Sequence, residues 1–461
     1  MMKLSSKKIA EVVGSVSNVL DEEITNISTD SRSVFKGDLF IAIKGEKFDG
    51  HDFVKDVVDK GASVVIVERL IPAVPAVRQI LVENCLDAYG AIGAYVRLQY
   101  KGVVIGLTGS SGKTTSKEEL KFVLKKFAPV SATEGNFNNH VGVPRSLCNL
   151  DMSSSYAIIE MGMSTAGEMS YLTSLVKPNI AVVINVYPMH IEFFPNDGIE
   201  GIAKAKAEIF GGLDRNGIAI INDDTAKADI LREKARDRTP NLILYGKDNL
   251  VSKLETPDGW KLEARFGNEV VSYELTSRGD HVVYNSLCVL SVASVLGLDL
   301  KQAADYLKDF ETPAGRGRHY QLKLPNGGES YTLIDDSYSG QPDAMIIAIK
   351  ALGGMKAEGK KIALLGKMGE LGAHTQERHM DVGKALNETD IKVVIGVGEP
   401  AKDILAQLEA DKEQYYFDTK DGAEELLLNK VLQNGDILLI KGSHYGSQLF
   451  KVAEKLIGFK G

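Results

Sequence analysis

The segment Val103-Val-Ile-Gly-Leu-Thr-Gly-Ser-Ser-Gly-Lys-Thr-Thr115 limits what this chain can fold into more than any other stretch. A short apolar run reads as a buried strand, and it empties into a Gly/Ser loop closed by Lys113, Thr114 and Thr115. The polar stretch that follows, Ser116 to Lys126, has helical character. Strand, glycine loop and helix in that order gather backbone N–H groups around an anion. Gly109, Ser110, Ser111, Gly112, Lys113, Thr114 and Thr115 are therefore expected to cradle the phosphates of a nucleoside triphosphate. Lys113 would bring charge to the outer phosphates, and Thr114 a hydroxyl to a magnesium ion. The loop is shorter than the usual spacing, because Leu107 stands five places before Gly112 where a glycine is common. The plain alternative is a glycine-rich turn, and Lys-Thr directly after Gly112 argues against it.

A chain of 461 residues is too long for one core, and about three domains are expected at roughly 100–200 residues each. Hydrophobic residues at 44% and charged residues at 25% describe an ordinary globular protein. The formal charge of −8 argues against a nucleic-acid binder, which would carry a basic excess. Cys85, Cys148 and Cys288 are too scattered for a zinc site or a disulfide framework and read as small buried residues. The N-terminus lacks the apolar core of a signal peptide, and no apolar run approaches the ~20 residues that span a bilayer. A cytoplasmic monomer with neither nucleic acid nor membrane as partner is the expectation.

Three α/β units are expected, at 1–98, 99–315 and 316–461. The first holds strand candidates Gly37–Ile43 and Gly61–Val67 and a helix over 88–98. In the second, Ala157–Glu160, Ile180–Asn185 and Gly217–Ile221 alternate with helical stretches, which indicates a mostly parallel sheet covered on both faces. The third places strands at Thr332–Ile334, Lys361–Leu365, Val393–Val397 and Ile437–Ile440 between helical stretches, a Rossmann-type layer without a dinucleotide fingerprint. Ligands collect at the carboxyl ends of such strands, where Glu160 and Asn185 fall beside the phosphate loop.

Glu160, before Met161-Gly162-Met163, is expected to expose its carboxylate in a turn, and His190 follows the strand that ends at Asn185. With Thr114 they offer ligands to magnesium; each alone is more often a cap or a core residue. Asn136, Asn138 and Asn139 surround Phe137 in a segment that suits either a polar ligand or a surface loop of capping asparagines. His281 and Asn285 lie one helical turn apart. Gly315-Arg316-Gly317 reads as a flexible hinge that carries a cation, and Asp336 ends a strand where a carboxylate suits a ribose.

The loop Thr108–Thr115, the run Asn136-Phe-Asn-Asn-His-Val-Gly-Val-Pro144 and Ala203-Lys-Ala-Lys-Ala-Glu-Ile209 together resemble the Mur ligases of peptidoglycan synthesis, and the branch that adds a dipeptide most of all. Thr29-Asp-Ser-Arg32, Phe48-Asp-Gly-His51, Asp335-Asp-Ser-Tyr338 and Lys441-Gly-Ser443 extend the likeness over the whole chain. It implies a UDP-sugar-binding first domain, a central ATPase with a parallel sheet and a mobile Rossmann-like third domain. The reaction implied joins D-alanyl-D-alanine to a UDP-N-acetylmuramoyl-tripeptide with ATP and Mg²⁺. By that likeness Ser31, Arg32, Asp49 and His51 lie at the uridine diphosphate end, and Asn136, Asn138 and Asn139 hold the muramoyl-peptide. Thr114, Glu160 and His190 match magnesium positions, and Lys206 matches a lysine that the family carbamylates into a metal ligand. His281 and Asn285 would meet adenine, Arg316 the phosphates and Asp336 the ribose, with Lys113, Lys206, His190 and Arg316 as the catalytic set. The chain departs from the family pattern at Ser339-Gly-Gln-Pro342, at Lys367 and at His444-Tyr-Gly, all in the third unit. A related ligase adding a single amino acid, or a phosphate-loop ATPase without ligation, remains open from sequence.

Overall fold

The computed structural model describes residues 2–45, 48–256, 259–277, 279–324, 329–369 and 371–458. Its centre is a six-stranded sheet in the order Leu242–Tyr245, Ile218–Asn222, Ile180–Val183, Val103–Thr108, Tyr156–Glu160 and Val130–Ala132. Every neighbouring pair is parallel. Alternate side chains leave a strand on opposite faces, and both faces here are covered, so the middle strands read as unbroken apolar runs. Ala157, Ile159, Ala181 and Val183 face a core that continues through Ile92 to Ile41 and Ile66 of the first unit. Ile105, Leu107, Ile158, Val182 and Ile220 face the other core, under helices Asp280–Val295 and Leu300–Leu307.

The chain leaves Val103–Thr108 for one side of the sheet and returns through Tyr156–Glu160 before it crosses to Ile180–Val183 on the other. The two strands flanking Val103–Thr108 therefore connect in opposite directions, which opens a crevice at its carboxyl end. The phosphate loop sits in that crevice.

The first unit carries a four-stranded parallel sheet, Ile27–Ser28, Leu39–Ile41, Val64–Val67 and Gln79–Leu81. Its last helix, Cys85–Gln99, lies so close to Gly142–Cys148 that a Cβ on Gly93 would stand 3.2 Å from Pro144. The third unit is a six-stranded sheet in the order Arg318–Lys323, Ser330–Asp336, Ile437–Lys441, Lys361–Gly366, Val393–Val397 and Glu413–Phe417. Only the edge strand Arg318–Lys323 runs antiparallel.

Sequence reading passed over the antiparallel meander Leu250–Thr256, Gly259–Phe266 and Glu269–Leu275. Its signal was the period-two pattern in which Leu262, Ala264 and Phe266 are buried between exposed Lys261 and Arg265. The helical stretch before the strand Ile437–Lys441 is an α-helix only at Lys420–Leu426 and loosens into a wider turn at Leu427–Val431. Among the described residues no helix is long and apolar enough to cross a membrane.

Candidate active site

The phosphate loop is held from both ends before any ligand arrives. Asn185 accepts from the Ser111 N–H through Oδ1 (3.0 Å) and donates through Nδ2 to the Ser111 carbonyl (2.9 Å). Ser110 Oγ donates to the Tyr187 carbonyl and accepts from its N–H (3.1 and 2.9 Å). Gly109 is obligatory, since a Cβ there would stand 2.2 Å from Ile184 Cγ1. Helix Lys113–Leu124 begins at Gly112, at φ +77°, with no side chain capping it. Among the described residues no protein group accepts from the N–H of Lys113, Thr114 or Thr115, so the first turn is left open to an anion. The Lys113 ammonium meanwhile folds back onto the carbonyls of Gly109 and Ser110 (2.9 and 3.3 Å).

Glu160 is the hub beside this loop. The sequence suggests an exposed carboxylate, but Glu160 is 1% exposed, because it ends a central strand beneath the loop rather than beyond it. Its Oε1 accepts from Thr114 Oγ1 (3.3 Å) and from Asn138 Nδ2 (2.7 Å). Among the described residues its buried Oε2 has no hydrogen-bond donor, and it faces the Lys117 ammonium at 3.6 Å. Lys117 was missed by sequence reading; it lies one helical turn past Lys113, on the same face, which was the available signal. Arg316, from the far side, donates through Nη2 to Thr114 Oγ1 (3.3 Å).

Lys206, on helix Gly198–Ala207, is 2% exposed, and among the described residues its Nζ donates only to the thioether of Met163 (3.4 Å). Burial, reinforced by the charge of Lys113, pushes its pKa well down. Burial lowers the pKa of Lys113 as well, with Glu160 opposing and Arg316 adding to the fall. Lys113, Lys117 and Arg316 thus gather about one carboxylate, an excess of positive charge suited to a polyphosphate, with the Lys206 amine beyond Lys113.

The remaining expected residues divide. His190 stands in the left-handed conformation (φ +61°) at the start of the turn Ile191–Phe193, on the segment whose Tyr187 braces the loop. His281 and Asn285 share one face of helix Asp280–Val295 and line a small cleft with Thr115, Phe310 and Thr312. Asn285 Oδ1 accepts from Ser116 Oγ (2.9 Å). Asp336 is engaged by the buried Lys441 at 2.6 Å. The asparagine segment is not of one kind: Asn138 serves Glu160, whereas Asn139 caps the next helix by accepting from Val141 and Gly142 N–H. Asn136 is exposed, and its carbonyl accepts from Asn138 N–H (2.7 Å).

In the first unit, His51 Nδ1 meets Asp49 Oδ1 at 2.6 Å and His51 Nε2 accepts from Glu68 N–H (2.9 Å). Both ring nitrogens of the buried His51 are engaged inside the protein, and its ring holds the Asp49 carboxylate in place. Burial tends to raise the Asp49 pKa, but hydrogen bonds from the His51 backbone and ring and from Arg69 outweigh it and hold the carboxyl at about 2. Arg32 is exposed and forks onto Asp30, and the Ser31 carbonyl accepts from Lys60 (2.9 Å).

Family models match most of the chain: "Mur ligase family, catalytic domain" over 23–93, "Mur ligase middle domain" over 107–293 and "Mur ligase, glutamate ligase domain" over 322–444. The UDP-N-acetylmuramoyl-tripeptide–D-alanyl-D-alanine ligase of Rickettsia prowazekii is 32% identical over 98% of this chain and 99% of its own length. That of Bacillus subtilis is 32% identical over 99% of both. MurF from Acinetobacter baumannii superposes with a TM-score of 0.88 over the full length of both chains at 29% identity. The MurF ligase of Thermotoga maritima in complex with ADP gives 0.79 over 94% of this chain and 96% of its own, also at 29% identity.

Proposed function

The chain belongs to the Mur ligase family, and we propose that it joins D-alanyl-D-alanine to UDP-N-acetylmuramoyl-tripeptide at the expense of ATP, in peptidoglycan precursor synthesis. The observation that carries this reading is the meeting of Arg316, Thr114 and Glu160, which brings the third unit's arginine onto the phosphate loop. Residues 1–98 take the sugar nucleotide, with Ser31, Arg32, Asp49 and His51 at its diphosphate end. Residues 99–315 take ATP, with adenine in the cleft of His281 and Asn285, and residues 316–461 take the incoming amine. The reading places the enzyme in the cytoplasm, where ATP is at hand.

A carboxylate is a poor electrophile, so it must first gain a leaving group. The tripeptide's terminal carboxylate attacks the γ-phosphorus of ATP; an O–P bond forms, the bond to ADP breaks, and an acyl phosphate results. The amine of D-alanyl-D-alanine then attacks the acyl carbon, loses a proton and expels phosphate through a tetrahedral intermediate. Lys113, released from Gly109 and Ser110, and Arg316 meet the charge that spreads over the transferred phosphoryl group. Asn138 holds the Glu160 carboxylate in place, and the third unit above the loop keeps water from the acyl phosphate. The residues fit a magnesium ion: Glu160 presents a buried oxygen without a donor, Thr114 a hydroxyl, and His190 stands on the adjoining segment. They fit a carbamate at Lys206 too, since a buried amine pushed toward neutrality is the form that adds CO₂. Magnesium bound there would neutralise phosphate charge during transfer.

Phosphate release by the purified chain tests this reading. It should require UDP-N-acetylmuramoyl-tripeptide and D-alanyl-D-alanine together; hydrolysis indifferent to both, or full activity with a single amino acid, would overturn it.

A further inference from the structure

Arg316 reaches the phosphate loop from the third unit, and the segment around it is not the loose hinge its glycines suggest. Gly315 N–H donates to Asp335 Oδ2 (2.7 Å), Gly317 N–H to the Asp335 carbonyl (2.8 Å) and Tyr338 N–H to the Gly315 carbonyl (3.0 Å). Gly315 is required, since φ is +74° and a Cβ would stand 3.1 Å from Tyr338 Cβ. The arginine is thereby fixed to the end of strand Ser330–Asp336 and moves with the third sheet.

A stack of planar groups continues from it. The Arg316 guanidinium lies 3.8 Å from the centre of the Tyr338 ring. Tyr338 lies 4.9 Å from the His444 ring at 32°, and His444 lies 4.2 Å from Phe450 at 22°. Phe450 opens helix Phe450–Gly458, whose Val452, Ala453 and Leu456 are buried. Four planar side chains, with the Tyr338–His444 pair tilted and the other two pairs face to face, thus run from the body of the third unit to Thr114 Oγ1. A guanidinium on a long stem has many rotamers, and stacking on an aromatic face removes most of them. His444 belongs to the turn after strand Ile437–Lys441, at strand ends where Ser443 N–H donates to the Lys367 carbonyl (3.0 Å) and Gly369 N–H to that of Gly340 (3.2 Å). A ligand held at those strand ends would therefore press on the same stack.

We propose that Tyr338 and His444 are positioning residues that hold Arg316 against the phosphate loop, so that the turn at the third sheet's strand ends and the nucleotide site are read by one stack. The inference rests on the proposed role of Arg316 at the phosphates.

Calorimetric titration of MgATP into the full chain and four variants tests it. Arg316→Ala should weaken binding about tenfold, His444→Ala about three- to fivefold, and His444→Phe, which keeps the stack, less than about twofold. Arg316→Ala combined with His444→Ala should bind no more weakly than Arg316→Ala alone, because the second change has no arginine left to place. Additive losses in the double variant, or a His444→Phe loss as large as that of His444→Ala, would overturn the inference and leave the ligase reading intact. Failure of the unaltered chain to bind ATP would overturn both.

Discussion

Two helices of the central unit begin in the same way and serve different ends. Lys113–Leu124 and Glu168–Val176 both start after a glycine in the left-handed conformation (Gly112 at +77°, Gly167 at +87°), and neither start has a side-chain cap of its own. At the second, Glu208 fills the gap and accepts from Gly167 N–H, Ser170 N–H and Ser170 Oγ at 2.9–3.2 Å. At the first, no carboxylate among the described residues accepts from the opening N–H groups, and lysines and an arginine gather about the opening instead. The protein thus contains its own control: a helix start completed by a carboxylate is structural, and one left incomplete awaits phosphate.

The largest effect that sharpens this contrast is expected at Lys206. Lys206→Ala should lower turnover by about 10²–10³-fold, and added short carboxylates should restore part of it by taking the carbamate's place. In the unaltered enzyme, ¹³C-bicarbonate should give a carbamate resonance. Because burial and then Lys113 depress the Lys206 pKa, its neutral amine persists to lower pH than a solvated lysine's, and the resonance should persist with it. Full activity in untreated Lys206→Ala would remove the carbamate from the account. A smaller and different effect is expected at the filled helix start. Glu208→Ala should cost about 1–2 kcal/mol in denaturant unfolding and change turnover by less than about threefold. A collapse of turnover with stability intact would erase the distinction between the two helices.

The phosphate loop was legible because its signal is local: strand, glycines, lysine and threonine are contiguous, and the fold needs them so. The apolar runs of the parallel strands were legible because burial on both faces leaves no polar alternation. Other features depend on what lies across the structure. Spacing cannot tell that Asn138 serves Glu160 while Asn139 caps a helix, since both need only an amide in a turn. Glu160 reads as exposed because Gly162 follows it, yet Lys117 from the loop helix lies over it. Lys206 is ordinary by spacing, and only the resemblance singled it out; its chemical character comes from burial beside Met163 and Lys113. Gly315 and Gly317 read as freedom, and the Asp335 carboxylate and carbonyl, some twenty residues on, remove it.

In the proposed reaction the crevice makes a carboxylate reactive by phosphorylating it. Turnover with tripeptide substrate labelled with ¹⁸O in its terminal carboxylate tests this directly, by mass spectrometry of the released phosphate. One ¹⁸O should pass into each phosphate, since the acyl oxygen leaves with phosphorus when the amine attacks. Unlabelled phosphate released alongside labelled amide would mean that ATP is hydrolysed without activating the acid, and would contradict the account.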